Sequence, residues 1–217
     1  MMRSPLLLLA LSHICIASVA NAASPQQDML RAVLLDRDPG EVERYLKAGF
    51  AVQAPIGCGT FDALDGAVEI QAPEMVALLL RYGARPKEST FVRAAFIASP
   101  DTALRIVTAF LQAGADVNSK LQYPGAQTGY LTALHQAVWR QNVDLVRLLL
   151  SQQYISLNDI DGEGHTPLDI AKDKGNATIV ALLLQSGADP REEVTTTHSR
   201  LFAEPAASTA RAFDSRK

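Results

Sequence analysis

The stretch "TPLDIAKDKGNATIVALLLQSGAD", Thr166 to Asp189, decides the fold, because it lies without a gap over "TALHQAVWRQNVDLVRLLLSQQYI" from Thr132, 34 residues upstream. A step of 70 residues further back reaches "DALDGAVEIQAPEMVALLLRYGAR" from Asp62, and another of 34 reaches "DMLRAVLLDRDPGEVERYLKAGFA" from Asp28. A fifth copy, "TFVRAAFIASPDTALRIVTAFLQAGAD" from Thr90, aligns once three residues around Ser99, Pro100 and Asp101 are treated as an insertion. Self-similarity at a fixed period of this size marks a stacked repeat architecture, in which each unit buries its apolar face only against its neighbours.

The shared positions predict the local structure. Leu30, Leu64, Val92, Leu134 and Leu168, followed three residues on by Val33, Ala67, Ala95, Ala137 and Ala171, make a short helix whose small side chains let neighbouring helices approach closely. After a turn, Val42, Val76, Val107, Val146 and Val180 precede Leu46, Leu80, Leu111, Leu150 and Leu184 by four residues, the spacing of a second helix with one buried stripe. Gly49, Gly83, Gly114 and Gly187 then stand where a helix ends in a left-handed residue. The fourth copy carries Gln153 at that alignment position, which predicts a strained or different cap. Thr166 and Pro167 read as helix N-cap and first-turn proline.

With the frame set, "GHTPLDIAKDKGNATIVALLLQSGADP", Gly164 to Pro190, resembles the ankyrin-repeat pattern G-x-T-P-L-H-x-A-A-x-x-G…V-x-x-LL-x-x-G-A-D. It departs at Asp169, where histidine is usual, and at Lys172; "TALHQAV" retains the histidine as His135. The resemblance implies an all-α ankyrin-repeat solenoid of about five helix-turn-helix repeats with β-turn fingers, at 25–53, 57–86, 87–118, 127–158 and 161–190 within a domain 23–190. It also implies that His135 hydrogen-bonds between neighbouring repeats. Copy one suits a terminal cap, since Glu41, Glu43, Arg44 and Lys47 make its second helix polar; copy five leaves Ile179, Val180, Leu182, Leu183 and Leu184 in an apolar outer helix that something should cover. Residues 191–217 are expected to be a largely disordered tail, although Val194, Leu201, Phe202 and Phe213 equip it to fold back.

The chain opens "MMRSPLLLLALSHICIASVANAAS", one arginine, an apolar run and small residues ending at Ala22, the order of a signal peptide over residues 1–22. The run is too short and too interrupted, by Ser12 and His13, for a bilayer span of about 20 residues, so no membrane insertion is expected after cleavage. Cleavage would leave Cys58 as the only cysteine and a core held without disulfides. Net charge is −3 with pI near 5.8, which disfavours nucleic acid as a partner.

Candidates for chemistry are few. No nucleophile elbow, phosphate loop, HExxH or paired-cysteine motif is present, and no enzyme activity, cofactor or metal is expected. Asp161, Glu163 and His165 alternate along one finger and include two carboxylates, but their number and spacing suit neither a calcium loop nor a zinc site, so they read as a solvated turn. His198 lies in the tail.

The resemblance implies binding of another protein through the fingers and the exposed side of the first helices. The repeat register puts Leu35, Asp36, Glu69, Ile70, Trp139, Arg140, Asp173 and Lys174 on that side, with Glu163 and His165 at a finger tip. Trp139 beside Arg140 is the first choice for an anchor, since both residue types are enriched among interface hot spots. Fingers measured from cap to next motif run 13, 7, 18 and 13 residues. The longest, "SKLQYPGAQTGYL" from Ser119 to Leu131, carries Tyr123, Tyr130 and Leu131 directly into the Trp139 helix and is expected to share its contact patch. The expected role is a non-enzymatic binding module or scaffold in a bacterial periplasm, protecting an exported enzyme or acting as an immunity protein against a toxin; a secreted effector of a host protein is the alternative.

Overall fold

Five of the described helices begin with a proline in their first turn, where the missing N–H costs nothing, and side-chain caps precede most of the others. The computed structural model describes residues 25–56, 60–122 and 130–190. Inner helices are α1 (Pro25–Arg31, continued by a π-helical turn Ala32–Asp36), α3 (Ala63–Glu69), α5 (Glu88–Ala94), α7 (Ala133–Trp139) and α9 (Pro167–Asp173). Each is followed by an outer helix: α2 (Pro39–Lys47), α4 (Pro73–Arg81), α6 (Pro100–Gln112), α8 (Val143–Leu150) and α10 (Ala177–Gln185). Inner helices pack against inner, outer against outer, and each pair on itself, so the helices form a two-layered solenoid.

The core follows the repeat register. Leu30, Leu64, Val92, Leu134 and Leu168 are buried, as are Val33 and the four alanines that follow them in register. At Gly66 the approach is tighter still: a Cβ there would stand 2.9 Å from Val33 Cγ1 and 3.2 Å from Leu34 Cδ2, so α3 needs a residue without a side chain to meet copy one. In the outer layer Val42, Val76, Val107 and Val146 are buried, whereas Val180 is only half-buried and Leu184 is 42% exposed, because no further described helix packs on α10.

Three details correct the repeat register. Thr90 is not the cap of copy three; α5 starts two residues earlier, at Glu88, and Thr90 lies inside it with its hydroxyl donating to Asp65 Oδ1. The inserted residues Ser99, Pro100 and Asp101 become the cap and first turn of a longer α6 of 13 residues. In copy four α8 is capped at Ser151, and the left-handed residue comes later, at Tyr154 rather than Gln153, with φ +62° against +84° at Gly114, because the turn after α8 is one residue longer than in the other copies. A second left-handed series lies between the helices of a pair, at Arg37, Gln71, Gln141 and Gly175, three of the four being non-glycine.

The long finger closes at its base as a two-stranded antiparallel ladder, β1 (Lys120–Leu121) with β2 (Leu131–Thr132), pairing Lys120 with Thr132 and Leu121 with Leu131. Tyr123 and Cys58 lie outside the described residues, as do the segments 1–22 and 191–217. Among the described residues no helix is long and apolar enough to cross a membrane.

Candidate protein-binding surface

The ends of the inner helices are joined from copy to copy by charged and aromatic pairs. The Arg93 guanidinium bonds Glu69, linking copies two and three. Arg140 lays its guanidinium 3.8 Å from the Phe96 ring centre while its Nε donates to the Phe96 carbonyl at 2.9 Å, linking three and four. Lys174 Nζ stands 3.3 Å from the Trp139 ring centre, linking four and five. A lower rung runs from Asn176 Nδ2 to Gln141 Oε1 at 3.3 Å.

The expected contact residues therefore divide. Trp139 and Lys174 are half-buried against each other, and Arg140 and Asp173 are exposed beside them. Glu69 is partly buried by Arg93, Ile70 is half-buried in the same layer, and Leu35 is 50% exposed at the other end of the array. One face of Trp139 is thus occupied by an ammonium group of its own chain. Phe96, which completes the aromatic layer, was missed in the sequence because its partner lies 44 residues away.

The finger bases form a second cluster next to this layer. Tyr130 is 44% exposed, with Lys120 Nζ 5.8 Å from its ring centre, and its N–H donates to the Ile160 carbonyl at 3.0 Å. Leu131 is half-buried in β2, and Lys120 also pairs with Asp159 at 3.0 Å. In the next finger Asp161 Oδ1 accepts from the N–H groups of both Glu163 and His165 at 2.9 Å, and Gly164 turns with φ +87°. Asp161 thereby acts as a turn-former, leaving Glu163 and His165 on the rim. Among the described residues no group of three or more metal-ligating side chains converges.

Two buried polar sites hold this surface in register. His135 is fully buried; its Nδ1 lies 2.8 Å from Thr132 Oγ1, while its Nε2 lies 3.1 Å from the Asp159 carbonyl and 3.3 Å from the His165 carbonyl. Nε2 must carry hydrogen to satisfy those carbonyls, so Nδ1 is the acceptor for the Thr132 hydroxyl, and one neutral ring ties the start of α7 to the next finger. Burial holds its pKa below the ordinary histidine value.

At the equivalent place in copy two, Asp62 and Asp65 form a reciprocal capping box, and both carboxylates meet Lys87, at 2.8 and 2.5 Å. Burial raises the Asp62 pKa; it also pushes Asp65 upward, but hydrogen bonds from Lys87 and Thr90 outweigh it and hold Asp65 below the usual value. Burial pulls the Lys87 ammonium down, but the two carboxylates overcome this and raise it. The trio of two buried aspartates and a half-buried lysine was not visible in the sequence, because Lys87 lies 22 residues from Asp65, outside any motif.

Residues 91–193 match the family model for ankyrin repeats in three copies. The chain carries ankyrin repeats over that span, and the helical pairs make the fold an ankyrin-repeat solenoid. Among curated proteins it is similar to the nuclear factor NF-kappa-B p105 subunit of Mus musculus, 35% identical over 102 residues, 47% of this chain and 10% of that one. It also resembles the p105 subunit of Gallus gallus, 39% identical over 83 residues, 38% of this chain and 8% of that protein. An I-Kappa-B like protein C2 of Microplitis demolitor bracovirus is 36% identical over 75 residues, 35% of this chain and 39% of the relative. The match spans about a tenth of the p105 relatives' length. Ankyrin repeats generally bind proteins and are typically non-catalytic.

Proposed function

We propose that the protein is a non-enzymatic scaffold that binds one partner protein across the inner helix ends and finger bases of copies three to five. The observation carrying this reading is the layer Phe96, Arg140, Trp139 and Lys174, flanked by exposed Tyr130 and the finger residues Glu163 and His165. Aromatic rings carrying cations on one face combine large apolar area with charge-assisted hydrogen bonding, the composition of an interface centre. Their cross-copy pairing also fixes the side chains before binding, which lowers the entropy cost of association. The N-terminal order of charge, apolar run and small residues supports export to a periplasm, where the scaffold would protect an exported enzyme or occlude a toxin.

The test is affinity capture from periplasmic extract of the native host, comparing the wild type with a Trp139→Ala variant whose finger is shortened between Leu121 and Leu131. A stoichiometric partner recovered by the wild type should be lost from the variant while its circular dichroism stays helical. Equal recovery by both would place the contact elsewhere, and a mature chain found only in culture medium would remove the periplasmic role.

A further inference from the structure

The outer face of the last copy is finished on one helix and unfinished on the other. On the inner helix α9, Lys172 stands exposed where copies two and four have the buried Val68 and Val138 and copy three the half-buried Phe96, so this helix presents a charge to any further repeat. On the outer helix α10, Ala177, Val180, Ala181 and Leu184 follow the i, i+3, i+4, i+7 spacing of a single helical face. All four are apolar, and none is fully buried. At the equivalent positions of α8, on which α10 packs, Val146 is buried, Val143 and Leu150 are half-buried and Arg147, in register with Ala181, stays exposed, so Ala177, Val180 and Leu184 are the positions that lose cover in the last copy.

We propose that this stripe is covered by the chain's own C-terminal segment, with Leu201 and Phe202 seated on Val180 and Leu184. The array leaves its last helix at Gln185 and passes through Ala188 to Pro190, so the segment starts seven residues after Leu184 in the chain. Leu201 lies 11 residues beyond Pro190, a reach of up to about 36 Å. Nine-residue α10 is only about 13 Å long. The intervening "REEVTTTHSR" carries Glu192 and Glu193, opposite in charge to the exposed Lys172. A second copy stacking end on end, or a partner the size of a repeat, would have to desolvate Lys172, whereas one short segment lying on α10 need not. This cap is independent of the inner-face binding site.

A double-mutant cycle in the full chain tests the seat. Leu201→Ser with Phe202→Ser should lower the melting temperature by several degrees and speed hydrogen exchange at the α10 amides several-fold. Leu184→Lys should destabilise the otherwise native chain. Combined with the serine pair it should cost nothing more, because an uncovered helix end tolerates a lysine. Sedimentation should show a monomer throughout. Fully additive effects, or a serine pair that leaves both melting and exchange unchanged, would overturn the proposal. A wild-type dimer whose melting point falls on dilution would assign the stripe to a second copy instead.

Discussion

Tyr154 should be replaceable by glycine with a gain in stability. Its φ of +62° lies in the left-handed region, its side chain is 90% exposed, and it is the left-handed residue of the turn after its outer helix, as glycine is in the other four copies. Left-handed backbone costs a non-glycine residue roughly 1–2 kcal/mol. Glycine gives back roughly 0.5–1 kcal/mol through the greater freedom of its unfolded chain. The small buried fraction of the tyrosine adds a loss of a few tenths at about 25 cal/mol per Å². Tyr154→Gly should therefore stabilise by on the order of 0.5 kcal/mol, raising the melting point by about 1–2 °C. The reciprocal change is Gly114→Ala in copy three, where φ is +84° and an added Cβ meets nothing within 4 Å. It should destabilise by about 0.5–1 kcal/mol through backbone strain alone. The two variants should differ by roughly 3–5 °C in calorimetric melts, with unchanged dependence on urea. A lower melting point for Tyr154→Gly together with a neutral Gly114→Ala would refute the reading of these residues as the left-handed points of their turns. If the gain is found, folding does not require Tyr154.

Three further perturbations read other parts of the array. Lys87→Met removes the only ammonium contacting the buried Asp62 and Asp65 carboxylates among the described residues and should cost about 3 kcal/mol at pH 7. Urea titrations should show the deficit shrinking as pH falls toward 4 and the carboxylates protonate; a deficit constant with pH would exclude them as the cause. His135 has a folded-state pKa below its unfolded value of about 6.5, so its contribution is complete above that pH and fades as pH falls through the folded value. Wild-type melting points should consequently begin to drop as pH falls below about 6.5, where the unfolded imidazole starts to protonate. His135→Asn should flatten that slope, and an equally steep slope in the variant would assign the loss to another group. Gly66→Val would drive side-chain atoms into Val33 and Leu34 and should destabilise the junction of copies one and two by roughly 1–3 kcal/mol, measured as early loss of protection in α1 and α2 by hydrogen exchange.

The parts of this molecule that were readable from sequence are those whose partners lie one repeat away in the same register. Leu134 and Leu168, or Val76 and Val146, meet the same neighbours in every copy, so alignment alone places them in the core. The left-handed turns were readable only where glycine marks them: Gly175 occupies the same conformation as Gln71 and Gln141, and nothing in a glutamine announces a positive φ. The left-handed residue at Tyr154 was displaced by one from its aligned position because a gap-free alignment cannot register a longer turn.

Side-chain chemistry was least legible where it crosses copies. Trp139 and Lys174 were expected on the same side of their helices, yet their contact depends on the rise and rotation between copies, which no residue pattern encodes. The same geometry changes what Trp139 can contribute to a complex. A lysine already lies 3.3 Å from one ring face, so a partner must either use the ring edge and the exposed Arg140 or displace Lys174. Displacement would forgo a cation–π contact of roughly 0.5–1 kcal/mol. Lys174→Met separates the routes: it should weaken binding if the paired cation is read by the partner, and strengthen it if the ring face is the contact, a sign that titration calorimetry resolves directly.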